Sequence, residues 1–165
     1  MKKPRDTQWR KFYQAKQVLN AYNKEISTIP EIRAYLNNIF ESAWFKKNFP
    51  HKTKFDLRDG RRRSHASGGH YGDNGVQLSL PKKSRREATI LQMLAYGLTP
   101  REYAWHGAEF CCIYLRLVER YLGKEAHQKL QFSFRDHGVK CIWFSSPIVK
   151  LEKMLGIKPS KQELF

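Results

Sequence analysis

The sequence predicts an α+β fold in one domain, and three observations carry that prediction. Apolar residues recur at helical spacing from about residue 9 to residue 44 and again from residue 107 onward. Between these regions, residues 54–80 switch to short alternating runs separated by glycine-rich turns. Finally, residues 90–98 are apolar on nearly every side, the pattern of a central buried helix rather than of a surface one. At 165 residues, with 41% apolar and 13% aromatic content, the chain is long enough for one domain with its own core.

A basic tail, residues 1–5, leads into a helix expected from Asp6 or Thr7 to Glu25. Trp9, Phe12, Tyr13, Leu19, Tyr22 and Ile26 form its apolar stripe, and Arg10, Lys11, Lys16 and Lys24 its other face. A second helix should begin at Thr28, because Thr28-x-x-Glu31 can close a capping box and Pro30 is tolerated in a first turn. Ile32, Tyr35, Leu36, Ile39, Ala43 and Trp44 make its stripe, and Pro50 limits it. Lys54 to Arg58 alternates as a strand, and Val76 to Leu80 alternates again before Pro81. Residues 60–69, with Arg61, Arg62 and Arg63, read as a flexible loop, and Gly72-Asp73-Asn74-Gly75 as a turn. The expected sheet is therefore a small, mostly antiparallel meander.

Ser84-x-x-Glu87 predicts a second capping box and a helix start near Arg85, with Gly97 as its stop. Helices follow over 107–122 and 124–137, closed by Gly123 and Gly138. A last strand over 139–144 and a short helix from Ser146-Pro147 to Gly156 complete the expectation. The domain is placed at residues 1–144, with 145–165 as a C-terminal helix and tail.

Cys111, Cys112 and Cys141 include no CxxC spacing, so neither a disulfide framework nor a cysteine zinc site is indicated, and buried small hydrophobes are expected. No run has the length of a bilayer span and no apolar signal core opens the chain, which places the protein in the cytoplasm. The 31 Lys+Arg against 15 Asp+Glu leave a net charge of +16, which points to a polyanionic partner.

The order of several motifs carries a resemblance. Arg5-Asp6-Thr7-Gln8 leads into the first helix, Leu91-Gln92-Met93-Leu94-Ala95-Tyr96 occupies the central one, and His106-Gly107-Ala108-Glu109-Phe110 and Leu117-Val118-Glu119-Arg120-Tyr121-Leu122-Gly123 follow. Over roughly residues 5–140 the chain resembles a family of small zinc metallohydrolases of bacteria and their phages, in which the central helix carries His-Glu-x-x-His. The resemblance implies a zincin-like scaffold, a phage or mobile-element origin and work in the host cytoplasm. In that family the helix supplies two zinc ligands one turn apart and a general base between them. Gln92, Met93 and Tyr96 stand at those three positions here, and His106 alone remains as the implied third ligand. The resemblance therefore implies a pseudo-enzyme with no catalytic residue, no metal and no cofactor.

Function is then expected on the basic surface. Between Lys46 and Arg86 lie twelve Lys/Arg, opposed only by Asp56, Asp59 and Asp73. Lys54, Arg58, Arg61, Arg62, Arg63, Lys82, Lys83, Arg85 and Arg86 are the candidate phosphate contacts, with the start of the central helix offering backbone N–H groups to the same anion. His65, His70 and Tyr71 are candidates for stacking on single-stranded bases. The expected function is sequence-nonspecific nucleic-acid binding. The alternatives are a module that binds and modulates a host protein, or a residual metal-dependent hydrolase with rearranged ligands. The terminal Gln162-Glu163-Leu164-Phe165 is similar to short Leu-Phe peptides that dock on replication sliding clamps.

Overall fold

The computed structural model describes residues 5–141; the helix expected from 146 to 156 and the terminal 162–165 peptide lie outside them, as does the strand expected over 139–144 apart from residues 139–141, which form no strand. The architecture is α+β. Helix α1 (Trp9–Lys16) runs into a 3-10 segment (Gln17–Tyr22), and α2 (Ile29–Glu41) and α3 (Ala43–Asn48) follow. Three strands, β1 (Lys54–Arg58), β2 (Ser67–Tyr71) and β3 (Gly75–Ser79), precede α4 (Glu87–Leu98), α5 (Ala108–Tyr121) and α6 (Lys124–Asp136). None of the described helices is long and apolar enough to cross a membrane.

The sheet is mixed, not a meander. Its order is β1-β3-β2, with β3 parallel to β1 and antiparallel to β2. The chain leaves β1, passes the end of β3 through the arginine loop, and returns on the far side as β2. Gly60, at φ 64°, makes the crossing beside Pro81 and Ser79. The sequence reading placed most of β2 in a flexible loop. Ser67-Gly68-Gly69-His70-Tyr71 has little strand propensity, but packing requires its glycines: a Cβ on Gly68 would lie 2.2 Å from the Met93 carbonyl oxygen. On the facing side, a Cβ on Gly97 would lie 2.6 Å from the Gly69 carbonyl oxygen. Backbone meets backbone at both points, so α4 lies directly on β2 and β3.

Three other expectations need correction. The first helix is shorter, and its inward face is Phe12, Ala15 and Leu19, while Trp9 and Tyr13 are exposed. The Thr28 capping box forms as expected, but Ser42 ends α2 and caps α3, which rotates the buried stripe to Phe45 and Phe49. The Ser84-x-x-Glu87 box does not form. Ser84 closes a 3-10 turn, and the first N–H groups of α4 go elsewhere: Glu87 N–H donates to the Lys24 carbonyl at 2.9 Å and Ala88 N–H to Asn23 Oδ1 at 2.9 Å. These two donors are therefore taken within the chain and do not face a phosphate.

All residues of α4 from Ile90 to Leu98 are buried, as its composition predicts. Phe12, Phe110, Tyr114 and Phe134 are fully buried and join α1, α5 and α6 in one aromatic cluster, with Phe12 5.2 Å from Phe110 and 5.8 Å from Phe134 between ring centroids. Cys111 and Cys112 are buried and free, and burial pushes both thiols up, Cys112 to about 11. Their position at a helix start does not activate them.

Candidate functional site

One turn of α4 sets Gln92 and Tyr96 on the same face, and the turn before α5 brings His106 to them. Tyr96 OH lies 2.5 Å from His106 Nε2, and Gln92 Nε2 donates to Tyr96 OH at 3.0 Å. Two further residues, both from α1, close the group. Gln92 Nε2 also donates to Tyr13 OH at 3.0 Å, and Lys16 Nζ donates to Gln92 Oε1. At the other end, Asp6 Oδ2 bonds His106 Nδ1.

Donor and acceptor rules constrain this chain. A carboxylate only accepts, so Nδ1 carries a proton, and in the neutral imidazole Nε2 accepts from Tyr96. Tyr96 OH then has a lone pair for Gln92, whose amide oxygen faces the ammonium of Lys16, which only donates. Each atom in the run Lys16–Gln92–Tyr96–His106–Asp6 has the partner its chemistry requires. An amide suits position 92 because it accepts from a lysine and donates to two phenols at once. Burial, with a smaller contribution from Tyr13, raises the Tyr96 phenol well above its ordinary value. Burial lowers the Lys16 ammonium to about 8.

Aromatic rings enclose the imidazole. Phe12, Tyr13, Tyr96 and Phe110 stand 5.0, 5.4, 5.4 and 5.4 Å from its centroid, and Tyr96 stacks on Phe110 at 4.6 Å. The Arg5-Asp6-x-Gln8 segment straps this region down. While Asp6 holds the ring of His106, Gln8 donates to its carbonyl and makes a two-point pair with the Lys140 backbone, at 2.8 and 2.9 Å. The reason for Asp and Gln two residues apart is that they grip one histidine by its ring and by its main chain.

These residues do not fit a catalytic zinc. The four corresponding positions offer one imidazole, and both its nitrogens are engaged, by Tyr96 and Asp6. Met93, at the position of the base, has no proton-accepting group and is buried. Among the described residues, no group of three or more His, Cys, Asp or Glu is arranged to hold a metal ion.

Beside this network runs a trough of three cavities that all share Tyr13. The first, about 230 Å³, reaches from Tyr13 to Trp105, His106 and Gly68. The second, about 460 Å³, is lined by Trp9, Lys16, His65 and Ser84, with Gln92 and Met93 also lining it. The third, about 210 Å³, continues past Lys16 to Arg86. Trp9, Tyr13 and Trp105 are among the few large apolar side chains left exposed, at 48%, 42% and 56%.

The candidate cations divide accordingly. Arg86 lines the trough, whereas Arg61, Arg62 and Arg63 precede its lining residues Ser64 and His65 in the chain, and Lys82 and Lys83 precede Ser84. Arg63 Nη1 donates to Ser67 Oγ at 3.1 Å, and Arg61 pairs with Asp59 at 2.6 Å. Lys54 and Arg58 sit on β1, at the sheet edge opposite β2. Lys54 lies 5.6 Å from the Tyr71 ring, and Arg58 pairs with Asp56 at 2.7 Å.

Arg85 is not a surface cation. It is buried, and donates to Leu80 O at 3.1 Å, to Ser27 O at 2.9 Å and to Asp59. His70, a candidate stacking residue, meets Lys52 Nζ at 3.3 Å, in a cavity lined by Phe49 and Leu98 and apart from the trough. His65 does line the trough.

Comparison of the chain with protein-family models, curated proteins and solved structures finds no match. The functional reading therefore rests on the site itself.

Sequence reasoning missed Lys16, Tyr13 and Asp6 as members of the site. The sequence reading sets Lys16 on the face away from the apolar stripe, although it stands one turn from Phe12 and Tyr13. The signal available was Gln92: a buried amide in an apolar helix needs both a donor and an acceptor as partners.

Proposed function

We propose that the chain is a non-catalytic protein of zincin-like architecture that binds nucleic acid along the trough beside α4. The observation that carries this reading is the coincidence of exposed aromatics with cations in one groove. Trp9 and Tyr13 line it with Lys16 and Arg86, and Arg61–Arg63 and Lys82–Lys83 stand next in the chain to its lining residues Ser64 and Ser84. In a chain of net charge +16, such a groove has what a polyanion with ring-bearing substituents needs: cations for phosphates and flat faces for bases.

The architectural part is supported by the spacing of Gln92 and Tyr96 and by the approach of His106. Together they occupy the relation of two helix ligands and a third from downstream, with hydrogen bonds in place of a metal. The absence of a base at Met93 supports the non-catalytic part.

Direct titration of fluorescent DNA and RNA oligonucleotides at about 50 mM salt tests the reading. Saturable binding is expected to at least one of them. Failure to bind either, by protein that is folded, rejects it. Hydrolysis of peptide or ester substrates by metal-loaded protein, abolished by His106→Ala, would reject the non-catalytic part.

A further inference from the structure

The 230 Å³ cavity is unlike the rest of the trough. Buried Tyr96 and His106 contribute to its lining, with the partly exposed rings of Tyr13 and Trp105. Gly68 adds bare main chain, because the close approach of β2 to α4 leaves no room for a side chain there. Trp105 meets Tyr96 edge-on, at 6.3 Å and 61°. The cavity is below the roughly 300 Å³ at which drug-sized ligands are usually held, so it suits one planar ring system rather than a whole nucleotide. Its neighbours in the trough, which share Tyr13, carry Lys16, His65 and Arg86.

We propose that this cavity is a nucleobase pocket, and that the polyanion in the trough is a single strand with one unpaired base seated between Tyr13, Trp105 and the His106–Tyr96 pair. This rests on the nucleic-acid reading above and narrows it. A base can enter a side pocket only when it is out of its stack and pair, so a duplex has to be opened first and a single strand does not. The sugar-phosphate chain follows the cations, and the rings supply a stacking face that accepts any base. Ser67, on the edge strand, gives the ring edge a hydroxyl beside main-chain donors and acceptors.

Fluorescence anisotropy tests this on the full chain. Three ligands of about 15 nucleotides are compared at one salt concentration: oligothymidylate, an abasic strand of the same length, and a duplex. Oligouridylate is run beside them; either sugar satisfies the proposal, and the tighter of the two names it. The single strand is expected to bind about tenfold or more tightly than the abasic strand and the duplex. Trp105→Ala should weaken single-strand binding roughly five- to hundredfold and leave abasic binding unchanged. Trp105→Phe should recover most of the loss, and Phe132→Ala, an exposed ring on α6, should change nothing. Equal affinity for the abasic and base-bearing strands, or an unaffected Trp105→Ala protein, overturns the pocket while nucleic-acid binding stands. No binding to any of the ligands overturns both.

Discussion

Gly97→Ala is a sharp test of how α4 sits on the sheet. In a solvated helix the change is favourable by about 1 kcal/mol, because alanine has the higher helix propensity. Here the new Cβ would lie 2.2 Å from Val76 Cγ1 and 2.6 Å from the Gly69 carbonyl oxygen, where ordinary contacts are 3.4–4 Å. Val76 is fully buried and β-branched, so it has few alternative rotamers. The Gly69 oxygen belongs to the backbone of β2 and moves only if the strand or the helix moves. Overpacking of a filled core costs about 1–3 kcal/mol, and an obstacle that is partly backbone places this site at the upper end. Set against the propensity gain, the net loss is about 2 kcal/mol, a fall in melting temperature of about 4–8 °C for a chain of this size. Thermal unfolding followed by circular dichroism reads it. Gly68→Ala, whose nearest neighbours are all Met93 backbone atoms, should lose at least as much. A Gly97→Ala protein that melts higher than the parent would refute the backbone-to-backbone packing.

Three further outcomes follow from the site. Lys16 has its value lowered in the folded state from 10.5 to about 8 by burial, so between those pH values the unfolded chain binds more protons and stability rises with pH. The gain is at most about 3 kcal/mol and is opposed above about pH 10 as the raised tyrosines, Tyr96 and Tyr114 among them, begin to ionise in the unfolded chain. Lys16→Met should flatten the rise between pH 8 and 10 in denaturant titrations; an identical slope removes Lys16 as its source. Tyr96→Phe leaves His106 Nε2 without its hydrogen-bond partner and Gln92 without one of its acceptors, and should cost about 1–3 kcal/mol at neutral pH in the same assay. Arg85→Ala should cost about 3 kcal/mol while leaving the nucleic-acid affinity of the folded protein within about twofold, because its guanidinium is spent on Leu80, Ser27 and Asp59. A large loss of affinity without a loss of stability would return Arg85 to the binding surface.

What was legible in the sequence was local. The Thr28 box, the all-round apolar face of α4 and the periodicity of α5 and α6 are decided by residues within a turn or two of each other. What was not legible depended on distant partners. Strand β2 is glycine-rich because a helix some twenty-five residues on lies against it, a reason invisible in its own propensities. Ser84 fails as a cap because the segment Asn23-Lys24 reaches the start of α4 first. Lys16 points inward because Gln92 needs a donor, and Arg85 because the Asp59 carboxylate and two carbonyls converge on it. The trough itself is a product of topology: it forms where Ser64 and His65, at the end of the arginine loop, meet Ser84 and residues of α1 and α4.

The central claim, that the basic rim of this trough holds phosphates, is tested most directly by the salt dependence of oligonucleotide affinity. If about five cations contact phosphates on a single strand, the logarithm of the association constant should fall linearly with the logarithm of salt, at a slope of about −3.5. Replacing Arg61, Arg62 and Arg63 together with serine should make that slope shallower by about 2. A flat salt response, or a triple variant with the parent's slope, would contradict the account.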